Sequence, residues 1–407
     1  MARFLGFLLL LAIPGLAQDR PYVILISFDG FRHDYVQKFD APNFKKFMAD
    51  GAQAEALIPS FPSKTFPNHY TLVTGLVPGH HGLVDNAFYD RSSNTRYSMS
   101  DRSKVEDGYY YSGVPLWQLA RQHGVKSASY FWVGSELKDE SRRPDYYYLF
   151  NDTVAAQTKI AQVVSWLRLP EPERPHLITL YFSSPDHEGH DFGPNSAETR
   201  DAVLRADSVL GVLMTEIKST KLPVNVILVS DHGMYEITVL AETTLFRDEL
   251  INIKDPSVKY VNGGTQLHVY CSDANKRDST YRVLKKSERN YTVYRKEEFP
   301  ARWQYQHDRT GDILIEAHPG FYIRDVSREL FLKNAPLGAK RGVHGYDPEA
   351  TPDVRGIFYA QGPNIKRGAK VPPFQNIHVY PLVAKILQLP LPPIDGKEEV
   401  LIGIYRK

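Results

Sequence analysis

Three short apolar runs, each followed within a few residues by an aspartate, constrain this chain more than any other feature. They cover residues 22–28 before Asp29, 176–182 before Asp186 and 224–230 before Asp231. Runs this short, rich in β-branched and aromatic residues, read as strands buried on both faces of a parallel sheet. In an open α/β sheet, ligands bind beyond the carboxyl ends of the strands. The three carboxylates are therefore expected to converge on one crevice.

Strands alternate with helical stretches from Pro21 to about Tyr235, the mark of a βαβ architecture. Helices are expected over residues 41–50, over 115–123 with Gly124 as its stop, and over 197–219, where apolar positions recur at helical spacing. Residues 236–341 carry no candidate ligand although candidates flank them on both sides. They read as an inserted α+β subdomain with strands at 265–271, 291–295 and 312–318 and a helix at 279–287. The catalytic core would comprise residues 18–235 and 342–407, closing with a strand at 356–361 and a helix at 379–387.

The candidate ligands bring histidines with them. In Ser184-Pro-Asp-His-Glu-Gly-His190, Asp186 and His190 are four apart, so both face one ion if a helical turn follows. Asp231 and His232 are adjacent in Ser230-Asp-His-Gly233, and His344 stands in Gly342-Val-His-Gly-Tyr346, where glycines permit a crowded backbone. An aspartate after a strand is, alone, usually a helix cap or turn residue. Six such residues together suffice for two ions with three protein ligands each. Carboxylate and imidazole without thiolate favour zinc over magnesium or calcium, and three ligands leave open, catalytic positions. Paired ions suit phosphoryl transfer. His187 faces away when Asp186 and His190 share a side, and His33, His123, His268 and His318 are read as structural.

Between the first two ligand clusters lies Pro59-Ser-Phe-Pro-Ser-Lys-Thr-Phe-Pro-Asn-His-Tyr70, which reads as a loop leading into a helix start. A hydroxyl there meets free N–H groups and the positive end of the helix dipole, which favours phosphate chemistry. Thr65 is thus the candidate nucleophile. Phe66 adjoins it, and Tyr181 precedes Asp186 by five residues on the strand that delivers it, so both rings are candidates to stack on a base.

With these residues in view, the chain resembles the nucleotide pyrophosphatase/phosphodiesterase family of the alkaline phosphatase superfamily. The matching pieces run in order: Ser27-Phe-Asp-Gly30, Phe61-Pro-Ser-Lys-Thr-Phe-Pro-Asn-His69, Gly82-Leu-Val-Asp-Asn86, Phe131-Trp-Val-Gly-Ser-Glu136, Pro185-Asp186 with His190, Ser230-Asp-His-Gly233 and Gly342-Val-His-Gly-Tyr346. The resemblance implies an alkaline-phosphatase-like α/β core with a mostly parallel sheet flanked by helices. It also divides the ligands: one zinc on Asp186, His190 and His344, the other on Asp29, Asp231 and His232 with Thr65 as fourth ligand. Asn86 would donate to a phosphoryl oxygen beside the Thr65 N–H, and Tyr147, with Tyr146 and Tyr148 as alternatives beside it, matches the region where the family places another base-stacking tyrosine.

The implied reaction is hydrolysis of nucleotide phosphodiester and pyrophosphate bonds through a nucleotidyl-threonine. The alternatives are a choline-phosphodiester hydrolase or phosphomonoesterase on the same metals, or an inactive phosphate-binding relative. A monoester dianion needs a further cation, and Lys64 is the one candidate in the nucleophile loop.

Residues 1–17 read as a secretory signal, with Arg3, an apolar core from Phe4 to Ile13 and an end at Ala17. That core is too short for a membrane span. The single cysteine, Cys271, excludes an intrachain disulfide. Together these point to a bacterial-type soluble enzyme, periplasmic or secreted and expected to be monomeric. The formal charge of +2 falls to +1 without Arg3, which excludes the electrostatic footprint of a duplex nucleic-acid binder. Nucleotides held by metal fit better.

Overall fold

The first apolar run forms strand β1 (Tyr22–Phe28), all of it buried. The computed structural model describes residues 20–407, so the expected signal lies outside the described residues. The main sheet is completed by β2 (Ala52–Ala54), β3 (Ser127–Tyr130), β4 (Tyr146–Tyr148), β5 (Leu177–Phe182), β6 (Val224–Val229), β7 (Phe358–Gln361) and β8 (Lys370–Val371). Their order is β8-β2-β7-β6-β1-β5-β3-β4. From β6 through β4 every pairing is parallel, whereas β7 runs antiparallel to both its neighbours.

Burial on both faces explains the unbroken apolar runs. Val23 and Leu25 of β1 pack with helices Thr65–Thr74, Leu116–Gln122 and Val379–Ile386. Ile24, Ile26 and Phe28 pack on the other side with helices Pro42–Asp50, Ala156–Leu167 and Ala197–Ser219. Each such side chain contributes roughly 1.5–3 kcal/mol by leaving water. The longest helix starts where the Ser196 hydroxyl accepts from Thr199 N at 3.1 Å. Its buried Asp207 accepts from Phe44 N at 2.9 Å and Asn43 Nδ2 at 2.7 Å, which locks it to the start of Pro42–Asp50.

β5, β1 and β6 are adjacent, with Phe28 opposite Phe182 and Ser27 opposite Val229. Their carboxyl ends therefore open at one place.

Residues 236–341 build a separate four-stranded antiparallel sheet in the order Val258–Asn262, Gln266–Cys271, Ile313–Ala317, Tyr291–Arg295. The expected helix at 279–287 in fact spans Ala274–Lys286, because Asp273 caps it by accepting from Lys276 N at 2.9 Å. Only Leu284 of that helix is buried, so its first turns carry no apolar periodicity. A ladder between Tyr235–Thr238 and Lys340–Val343 closes the base of the segment. It sets Tyr235 opposite Val343, which brings His232 and His344 together across more than a hundred residues of sequence.

A candidate metal centre and the cavities beside it

Asp29 follows β1 directly and Asp231 lies two residues beyond β6. Asp186 begins the short helix Asp186–Phe192, the turn that sets His190 on the same side. Ligand atoms of Asp29, Asp231 and His232 lie within 4.8 Å of one another, as do those of Asp186, His232 and His344. His190 joins the second group, its Nε2 3.1 Å from that of His344 and 3.5 Å from Asp186 Oδ2. The structure thus gathers all six residues, with His232 between the two groups and its ring stacked on His344 at 3.6 Å.

The backbone sets the tautomers. Nδ1 of His190 meets Gly342 O at 2.7 Å, that of His344 meets Ser63 O at 2.8 Å, and that of His232 meets Gly233 O at 2.9 Å. A carbonyl only accepts, so each Nδ1 carries the proton and each Nε2 presents a lone pair inward. Facing them, Asp29 Oδ1, Asp186 Oδ1 and Asp231 Oδ2 are buried with no hydrogen-bond partner. Lone pairs thus oppose lone pairs, His232 Nε2 lying 3.0 Å from Asp231 Oδ2. Only positive charge at the centre reconciles this arrangement, and the donor set fits a metal ion.

The electrostatics agree. Burial, then the charges of Asp231 and Asp186, pushes the Asp29 carboxyl well above its ordinary value. Burial also pushes Asp231 up, but protonated imidazoles at His232 and His69 would outweigh it and hold the group down to about 2. Burial pulls His232 down while Asp231 raises it above its ordinary value, so a proton is drawn to the point where an ion would sit. Burial, then His232, Lys64 and His190, drives His344 well below the usual imidazole range, leaving it neutral as a ligand must be.

Thr65 opens its helix as expected. Its Oγ1 lies 3.3 Å from His232 Nε2. Asn68 fixes the loop ahead of it, accepting from Ser60 N at 2.7 Å and donating to Pro62 O and Lys64 O at 2.9 Å. Lys64, the N-cap, contributes no side-chain cap; with Phe66 N bound to Asn86 and no N–H on Pro67, the Thr65 N–H is the one left for an anion. Asn86 Oδ1 accepts from Phe66 N at 2.9 Å, which aims its NH₂ group elsewhere as a donor. Lys64 Nζ is tied to Gly263 O at 2.7 Å and His344 O at 3.0 Å, so its charge serves the backbone beside the centre. Gly345, at φ +118°, has no room for a side chain, since a Cβ would stand 2.0 Å from Thr265 Oγ1.

A cavity of about 240 Å³ adjoins this site, lined by Thr65, Phe66, Phe131, Trp132, Phe150 and Tyr181 among others. Tyr181 has a second contact there, its hydroxyl donating to Asp29 Oδ2 at 2.7 Å. Tyr147, expected near a bound base, is not among the residues that line this cavity. It lies within edge strand β4, beneath the Arg143 guanidinium at 4.8 Å, whereas the cavity opens beyond the strand ends. Phe150, just past that end, does line it.

Sequence reasoning also missed His69. Its Nδ1 lies 2.9 Å from Thr65 O and 3.4 Å from Asp231 Oδ2, and its Nε2 2.8 Å from Ser27 Oγ. The i, i+4 spacing from Thr65 on the new helix was the available signal. His187 turns to Asp152 at 3.6 Å, away from the cluster.

Convergent carboxylates and imidazoles at the strand ends, beside a hydroxyl at a helix start, define a metal-centred phosphate-chemistry class. The family model described as type I phosphodiesterase / nucleotide pyrophosphatase matches residues 23–347, and the chain belongs to this family. It is similar to bovine (Bos taurus) ectonucleotide pyrophosphatase/phosphodiesterase family member 3, 33% identical over 93% of this chain and 43% of that protein. It is 34% identical to an uncharacterised pyrophosphatase/phosphodiesterase of Schizosaccharomyces pombe, over 94% of this chain and 80% of that one. The chain thus spans less than half of the bovine relative. Among solved structures, murine ectonucleotide pyrophosphatase/phosphodiesterase 5 superposes with a TM-score of 0.85 at 29% identity, covering 95% of this chain and all of that one. A threonine-to-alanine form of it, described as inactive, was solved with AMP. The three-layer architecture is accordingly the alkaline-phosphatase-like α/β core with a mostly parallel sheet. Among the described residues, no helix is long and apolar enough to cross a membrane.

Proposed function

We propose that this chain is a dizinc nucleotide pyrophosphatase/phosphodiesterase, exported by the segment at residues 1–17 and acting as a soluble monomer. The observation that carries the reading is the opposition of three orphaned carboxylate oxygens to inward imidazole lone pairs, beside Thr65. One zinc would be held by Asp186, His190 and His344, the other by Asp29, Asp231 and His232 with Thr65. Such ions would acidify the bound hydroxyl and the hydrolytic water and neutralise charge on the departing oxygen.

The rest belongs to the chain's own groups. Thr65 Oγ attacks phosphorus, its P–O bond forming as the bond to the leaving group breaks, and the nucleotide is left esterified to threonine. The Asn86 NH₂ and the Thr65 N–H donate to a non-bridging oxygen as charge develops there. Water then cleaves the phosphothreonine ester, frees the nucleoside monophosphate and restores Thr65. Two in-line displacements retain configuration at phosphorus. Phe66 and Tyr181, with Phe150, hold the base in the aromatic cavity. The insert at 236–341 walls the opposite side of the centre. That a murine relative is described as inactive after a threonine-to-alanine change, and as binding AMP, supports both nucleophile and substrate class.

A turnover screen of the purified, zinc-loaded protein tests this. ATP should yield AMP and pyrophosphate, and p-nitrophenyl thymidine monophosphate should be cleaved. Preference for p-nitrophenyl phosphate or a choline phosphodiester would replace the reading with one of its alternatives.

A further inference from the structure

Beside the centre, two further cavities of about 490 and 540 Å³, neither lined by Phe66, Phe131, Trp132, Phe150 or Tyr181, share His190, Tyr322, Arg324, Val326 and Val343. The first is also lined by Lys64, Asn86 and His344, so it opens onto the reacting centre. An attack in line from Thr65 expels the leaving group away from Thr65, and the base occupies the Phe66 side. The leaving group is thereby directed to the His190 and His344 side.

Among the described residues, the cation with free capacity there is Arg324. It ends strand Tyr322–Arg324, whose register on Thr244–Phe246 fixes its backbone. Its Nε is buried without a hydrogen-bond partner, and its guanidinium leans over the Tyr322 and Phe331 rings at 5.1 and 5.8 Å. The neighbouring carboxylate is engaged elsewhere, since Asp325 binds Arg247 at 3.0 Å and Asn262 at 3.1 Å. Lys64 is occupied by two carbonyls, and Arg341 donates to Asp191 O and Lys340 O. A guanidinium with open donors in a cavity beside phosphate chemistry matches the fork geometry of a phosphate.

We propose that Arg324 receives a phosphate carried by the leaving group, and so selects pyrophosphate-bonded nucleotides over simple phosphodiesters. This deepens the reading above and rests on it. A leaving group without phosphate, such as p-nitrophenol or choline, offers Arg324 no anion.

The test compares wild type, Arg324→Gln and Arg324→Lys, each zinc-loaded, on ATP and on p-nitrophenyl thymidine monophosphate. Arg324→Gln should lower kcat/KM for ATP about 10- to 100-fold, the scale of a lost charge-assisted hydrogen bond. It should leave the p-nitrophenyl ester unchanged, and Arg324→Lys should recover part of the ATP loss. Pyrophosphate should inhibit Arg324→Gln correspondingly more weakly. Equal losses on both substrates, or undiminished ATP turnover, would overturn the assignment. If wild type turns over neither substrate, the proposed function fails. Calorimetric binding of pyrophosphate to the zinc-loaded wild type and Arg324→Gln then decides the Arg324 assignment alone, equal affinities counting against it.

Discussion

The ion-binding cluster and the aromatic cavity share Asp29, Asp186 and the adjoining Thr65, yet they are built differently. In the cluster, strand ends and backbone carbonyls fix every group: three imidazoles are held through Nδ1, and the carboxylates leave parallel neighbours at matched register. The cavity is assembled from side chains on a helix start, a strand and several loops, with no shared backbone device. Charged groups in a buried site must be held rigidly, because each misplacement leaves an unpaired charge. An apolar wall tolerates substitution, because dispersion and stacking depend weakly on orientation. Mutations in the two regions should therefore differ in kind as well as in size.

The largest effects belong to the cluster. Asp29→Ala, Asp231→Ala or His344→Ala should abolish turnover and lower the zinc content together, since a three-ligand site cannot spare one. Elemental analysis showing full zinc in Asp29→Ala and His344→Ala would break the assignment. Thr65→Ala separates chemistry from binding: both metals should stay while rate falls on the order of 10³-fold or more, and Thr65→Ser should keep measurable activity. Near wild-type diester hydrolysis by Thr65→Ala would show that another group attacks. One step lower, Asn86→Ala should cost about 10²- to 10³-fold in kcat, the scale for one oxyanion donor. Because Asn86 also accepts from Phe66 N, Asn86→Asp separates the roles: it keeps the acceptor, loses the donor, and should be as impaired as alanine.

The same contrast governs what could be read before the structure. Asp29, Asp186, Asp231 and their histidines were legible because strand runs and four-residue spacing are local signals, and strand ends converge by topology. β1 and the Ala197–Ser219 helix were legible at their boundaries for the same reason. His69 escaped notice because its meaning depends on reaching Asp231 from another element. The strand Val258–Asn262 was missed because three of its five residues are half-buried and one is exposed, so no apolar run marks it. Tyr147 was not resolved from Tyr146 and Tyr148, because family resemblance locates a region of sequence and does not tell whether a residue lies inside a strand or past its end.

The smallest effects belong to the aromatic wall and decide between Phe150 and Tyr147. Base stacking is worth roughly 1–3 kcal/mol by alanine substitution. Phe66→Ala should thus raise KM for nucleotides about 5- to 150-fold, and should spare phosphate esters that carry no base. Phe150 lines the same cavity, its ring centroid 6.1 Å from that of Tyr181, so Phe150→Ala should act in the same direction and on KM alone. Tyr147 lies under Arg143 within β4, and its removal leaves that wall intact. Steady-state kinetics of Tyr147→Ala on a nucleotide should match wild type in both kcat and KM. A KM rise for Tyr147→Ala equal to that for Phe150→Ala would mean that the edge strand rearranges around a bound base and that the cavity is remade by its ligand.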